Sequence, residues 1–129
     1  MKQNYFKNEY VEMWLENGVI HIVHSPYVTI SLEIAKINVA ARLEISEGKT
    51  YPIFADVTKA KTMTKDARKY LSTGDGIRGI SAGAFLIKTQ IEAFLVNSWL
   101  SIYPMPLPTR MFTETEKALE WLETFKRIN

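Results

Sequence analysis

Five basic side chains, Lys59, Lys61, Lys65, Arg68 and Lys69, fall within eleven residues of the stretch IFADVTKAKTMTKDARKY, with Asp66 as the one acidic group among them. The stretch opens with an apolar run ending in Asp56, and Thr64 is placed to cap a helix. In an open α/β sheet, ligands bind beyond the carboxyl ends of the strands. A helix start offers unpaired N–H groups and a partial positive charge to an anion. The chemistry expected here is recognition of an anionic group by Asp56, Thr58, Lys61, Thr62, Thr64, Lys65 and Arg68. The plainer reading is a capped helix beside solvated lysines. No nucleophile, general base or triad pattern accompanies these residues, so no catalytic residue is assigned.

Other patterns lose their chemistry in context. GDGIRG (74–79) matches the glycine spacing of a dinucleotide loop, but it follows a helix and precedes a strand. The binding mechanism needs the reverse order, so a helix C-cap and turn is expected. His21 and His24 are the only histidines. An odd spacing on a strand sends them to opposite faces, which speaks against a shared metal. With no cysteine in the chain, no thiolate site is available either. Neither metal nor cofactor is expected. YPMPLP (103–108) reads as an extended connector that blunts a sheet edge, ahead of a polyproline ligand.

These residues need a frame. YVEMWLENGVIHIVH (10–24) alternates as a hairpin around Asn17-Gly18, a pair that tolerates positive φ. Ser31 is placed to cap a helix ending near Ser46, with Glu33, Lys36, Ala40, Glu44 and Glu47 facing solvent. Its remaining surface is apolar and wider than one sheet face requires, so a second contact is expected. That wide face suggests a homodimer, with the Val39 and Leu43 region as the expected contact. YPIFADV (51–57) and GISAGAFLIK (79–88) read as strands buried on both faces. Thr89 with Glu92, and Thr113 with Glu116, suggest capping boxes. The helix after Thr89 is expected to bury Ile91, Phe94, Leu95, Trp99 and Ile102. TRMF (109–112) is a last strand, and a helix over 113–127 is expected to bury Ala118, Trp121, Leu122 and Phe125. The order β-β-α-β-α-β-α-β-α means an α/β fold, a mixed sheet of about five strands with four helices.

Composition sets the outer bounds. A chain of 129 residues, 47% apolar and 23% charged, suits one domain over 1–129. A net charge of +2 gives no reason to expect a nucleic-acid partner. No run reaches the roughly 18 apolar residues of a membrane span. MKQNYFKNEY lacks the apolar core of a signal peptide, and the expected setting is the cytoplasm.

The hairpin, the helix after Ser31, YPIFADVTKAKTMTKDARKYL and RMFTETEKALEWL together resemble the STAS/SEC14-type small proteins of bacteria, which share the SpoIIAA-like fold of anti-sigma factor antagonists. The resemblance covers nearly the whole chain. Its most specific pieces are FTETEKALEWL and the P-x-x-x-D spacing ending at Asp56. It implies a superhelix of βα units and a non-enzymatic regulatory or protein-binding module. Anti-sigma factor antagonists are switched by phosphorylation of a serine near the helix that follows the central strand. Asp56 resembles the aspartate ending that strand, while Lys65 stands at the acceptor position and Thr64 is the neighbouring hydroxyl. The related SEC14 group binds lipids, which leaves a second expectation: a small-ligand or lipid-binding protein with its pocket at the strand ends. A flat surface would favour the first, a deep pocket the second.

Overall fold

The computed structural model describes residues 2–126. Six strands form one mixed sheet in the order β1-β2-β3-β5-β7-β8. They are β1 (Gln3–Lys7), β2 (Val11–Glu16), β3 (Val19–His24), β5 (Tyr51–Asp56), β7 (Ile80–Leu86) and β8 (Thr109–Phe112). β1, β2 and β3 run antiparallel, whereas β3, β5, β7 and β8 run parallel. A two-residue pair, β4 (Thr29–Ile30) with β6 (Thr62–Met63), stands apart from the sheet. The helices are α1 (Leu32–Ser46), α2 (Lys65–Leu71), α3 (Gln90–Ile102) and α4 (Thr115–Glu123).

Local chemistry explains most of these boundaries. Asn17 and Gly18 both take positive φ, 51° and 74°, as the tight hairpin turn requires. Ser31 caps α1 by accepting from the Ile34 amide at 3.3 Å, and Thr64 caps α2 by accepting from the Ala67 amide at 3.3 Å. Thr89 accepts from the Glu92 amide at 3.1 Å. The second expected box does not form. Glu114 is the N-cap of α4 and makes no side-chain cap bond. GDGIRG is the turn from α2 into β7. A side chain at Gly76 would run into the Tyr70 carbonyl and the Leu71 backbone, so glycine there serves close approach.

Each sheet face carries its own core. Met13, Leu15, Ile20, Ile22, Ile53 and Ala55 pack with Ala41 and Ile45 of α1. Val19, Phe54, Ala82 and Ala84 pack on the other face with Ala118 and Leu122 of α4. Trp121 and Phe125 are half-buried beside that second core. The last helix runs from Thr115 to Glu123, shorter than the expected 113–127, because the chain turns at Thr124, and Phe125 packs from the turn beyond it. A third, smaller cluster joins Ile30, Ala35 and Ala67, which ties α2 to α1.

The sequence reading omitted β1. Its residues QNYFK are mostly exposed, and the pairing with β2 is interrupted between Gln3 and Phe6, so no clean alternation announces it. Two corrections matter for function. Val39 is buried within its own chain, and Leu43 is half-buried, so Val39 offers no surface to a partner. Conversely, Ile91, Phe94, Leu95, Trp99 and Ile102 do not form the inner face of α3. All five are exposed, and Ala93 is the helix's buried residue. No helix among the described residues is long and apolar enough to cross a membrane.

Candidate functional site

The parallel strands β5 and β7 end beneath a loop that is tied down on both sides. The Asp56 carboxylate accepts from the Thr58 amide at 3.0 Å and from the Thr58 hydroxyl at 2.6 Å. This turn chemistry redirects the chain as it leaves the sheet. The Tyr27 amide then donates to the Lys59 carbonyl at 2.8 Å, and the Lys61 amide to the Val28 carbonyl at 2.8 Å. The Thr64 amide closes the series on the Ile30 carbonyl at 3.0 Å. Residues 56–64 are thus a held rim with its backbone bonds made, which keeps their side chains in register with the strand ends.

The rim borders a cavity of about 540 Å³. Thr58, Lys61, Thr62 and Arg68 line it from the predicted stretch, and Ser72, Lys88 and Glu92 complete its polar edge. Its walls are apolar, from Ile30, Leu71, Phe85, Ile87 and Leu100. Met63, Met105 and Met111 also line it. Thioether side chains are unbranched and adaptable, so this wall can reshape around a flexible apolar group. The volume falls within the range of roughly 300–1,000 Å³ usual for small-molecule sites.

A second cavity of about 90 Å³ adjoins it deeper in the fold, with Val57, Met63, Leu71, Phe85, Met105 and Thr109 lining both. Its inner wall holds three buried polar side chains, His24, Asn38 and Arg42. The Asn38 amide nitrogen lies 3.2 Å from His24 Nε2. Among the described residues, His24 Nδ1 and Asn38 Oδ1 have no partner in hydrogen-bonding geometry. Burial holds the His24 imidazole below its usual value, against the smaller opposing pull of the nearby Asp56 backbone. It is therefore neutral at neutral pH. Arg42 donates to the carbonyls of Arg78 (2.6 Å), Asp75 (3.1 Å) and Gly76 (3.4 Å). Burial lowers its guanidinium to about 10, still charged at neutral pH. Arg42 thus ties α1 to the turn that GDGIRG makes.

The structure gathers some of the predicted residues and separates others. Asp56 shapes the turn and does not line the cavity. The Thr64 hydroxyl accepts from the Ala67 amide and lies 2.5 Å from an Asp66 carboxylate oxygen. That contact holds the Asp66 carboxyl below its usual range. Lys59, Lys65 and Lys69 are exposed and stand off the cavity. His21 is on the opposite face from His24, stacked on Trp14 with ring centroids 5.1 Å apart. The sequence reading missed Lys88 and Met105, which reach the site from β7's far end and from the YPMPLP connector. A lysine after a buried strand and a methionine between prolines were the available signals.

A family model described as "Domain of unknown function (DUF7793)" matches residues 13–126. None of the curated proteins matches the chain. Among solved structures, an uncharacterized protein of the DUF3478 family from Shewanella loihica PV-4, described as having a SpoIIAA-like fold, aligns with a TM-score of 0.58. The identity is 12%, and the alignment covers 91% of this chain and 98% of that one. At that identity the likeness shows the fold, which is SpoIIAA-like, and nothing of activity.

Proposed function

This chain belongs to the DUF7793 family, and from that premise we propose that it is a non-enzymatic binding protein for a small amphipathic ligand with an anionic head. One observation carries the reading: the cavity of about 540 Å³ at the strand ends has apolar, methionine-rich walls and Lys61, Arg68 and Lys88 at its edge. Apolar walls favour a hydrocarbon body, and the cations favour a carboxylate or phosphate. Glu92 at the same edge offsets part of that charge. The role requires no reacting group. What the site supplies is shape, apolar surface and charge. A cytoplasmic setting belongs to the same proposal, supported by the cysteine-free sequence.

A regulatory, protein-binding role is the second reading, favoured by the exposed apolar face of α3. A phosphate switch at Thr64 has less support, because its hydroxyl is already engaged in the cap of α2.

The test is native mass spectrometry of the purified full chain, followed by titration with a medium-chain fatty acid and with the alcohol of equal length. The acid should bind more tightly, and amide shifts should map to residues 57–63 and 100–111. Lys61→Glu with Arg68→Glu should remove the preference for the acid, most visibly at low salt. Lys65→Glu should leave it unchanged, since Lys65 stands off the cavity. Equal binding of acid and alcohol to the parent would overturn the anionic head. Binding of neither would overturn the pocket's role.

A further inference from the structure

We infer that α3 is the interface through which two copies of this chain associate, antiparallel about a two-fold axis. The inference is independent of the ligand reading. Ile91, Phe94, Leu95, Trp99, Ile102 and Tyr103 are each between 59% and 73% exposed, all on or immediately after one helix. At roughly 150–200 Å² per large apolar side chain, they present on the order of 600–800 Å². A typical monomer's largest apolar patch is about 300–600 Å². One side of a standard protein interface is about 800 Å². The patch therefore has the size of half a dimer contact.

The helix has no other way to cover it. Its inner face is short and already used. Ala93 is buried, and the Asn97 side chain is clamped to Met111 in both directions, donating at 3.1 Å and accepting at 2.8 Å. Leu100 is half-buried at the cavity wall. These three positions follow the inner stripe of a helix. The opposite stripe is Ile91, Leu95, Ser98 and Ile102, spaced four, three and four residues apart. That is the spacing of a helix-pairing seam. Phe94 and Trp99 flank it.

The stripe is complementary to itself when reversed. Centred between residues 96 and 97, an antiparallel copy places Ile91 against Ile102 and Leu95 against Ser98 along the seam, with the two Phe94 rings beside each other on one flank and the two Trp99 rings on the other. The small serine accepts the large leucine, and each aromatic meets an aromatic. Such large-into-small pairing is what close helix contacts need. Charge agrees as well. Glu92 is the sole charged residue from Gln90 to Ile102, so two copies meet without repulsion. A helix built to lie on a membrane would carry Lys or Arg along its polar face, and α3 has neither.

The test is sedimentation of the full chain from about 1 to 100 µM, together with its variants. The parent should reach twice the 14.8 kDa chain mass. Leu95→Glu should be monomeric, with the parent's circular dichroism, because Leu95 is exposed in the protomer. Ser98→Lys should also be monomeric, since it fills the notch. Mixing those two variants should restore a one-to-one dimer, because Glu at 95 of one chain meets Lys at 98 of the other. A parent that stays monomeric at 100 µM overturns the inference, and so does a Leu95→Glu variant that remains dimeric. A monomeric parent that floats with phosphatidylcholine vesicles overturns it in favour of a membrane surface. A dimeric parent whose two variants fail to pair overturns the antiparallel register.

Discussion

Arg42 shows how one side chain can decide where a loop lies. It is almost fully buried, and its guanidinium bonds three backbone carbonyls of the 75–78 turn. Truncation would leave those acceptors with fewer donors and open a void behind α1. Arg42→Ala should lower unfolding stability by about 2–4 kcal/mol, read as a shift in urea midpoint at unchanged slope. The histidines give a pH-dependent counterpart. Burial holds both His21 and His24 below their ordinary value of 6.5. The unfolded chain takes up protons as pH falls through about 6.5, while the folded chain resists them until lower pH. Stability is therefore full above that pH and declines below it. His21→Phe keeps an aromatic ring on Trp14 and removes one titrating group. Its urea midpoint should fall less steeply between about pH 6.5 and 5 than the parent's.

At the scale of elements, α3 and α4 make the sharpest contrast. Both are short helices with an apolar stripe and a tryptophan. α4 crosses the middle of the sheet, where Trp121 meets Phe112 and Phe125 at ring distances of 5.7 and 4.8 Å. α3 sits beside the edge strand β8, where the sheet has no face left to offer. Trp99 there touches Tyr103, one turn away, at 4.5 Å. Trp121→Ala should cost about 2–4 kcal/mol in protomer stability, since its site is half-buried. Trp99→Ala should cost less than about 1 kcal/mol when denaturation is followed in dilute protein. An equal loss in both variants would mean that α3 packs against its own chain. Periodicity identifies each helix but cannot say which partner receives its stripe.

Across the whole molecule, stability should be graded from the centre of the sheet outward. β3, β5 and β7 are parallel neighbours with core on both faces, whereas β1, β8 and α3 lie at the margins. Amide exchange should be slowest in β3, β5 and β7 and fastest in β1 and α3. Added ligand should slow exchange at the rim, residues 57–63, and in the 103–108 connector, without changing the central strands. Protection of α3 that rises with protein concentration alone would report the two-fold contact separately from ligand.

The sequence by itself determined the four helices and five of the six sheet strands in their order, but not the edge strand β1 or the short β4–β6 pair. Asn17-Gly18, Ser31, Thr64 and Thr89 act through bonds and dihedral angles within a few residues, so their effects are written locally. The uninterrupted apolar runs of β5 and β7 likewise required cover on both faces. It also placed anion-attracting residues at a strand end, and Thr58, Lys61, Thr62 and Arg68 do line a cavity there. Tertiary structure decided the rest. The cavity exists because β7, α2, α3 and the YPMPLP connector meet over the ends of the strands, joining residues as distant as Ile30 and Met111. The buried trio of His24, Asn38 and Arg42 comes from a strand and a helix that only the fold brings together. Whether an apolar stripe faces core or solvent depends on whether the sheet extends beneath it. Beneath α1 it does, and Val39 is buried. Beyond β8 it does not, and the stripe of α3 is left to another copy.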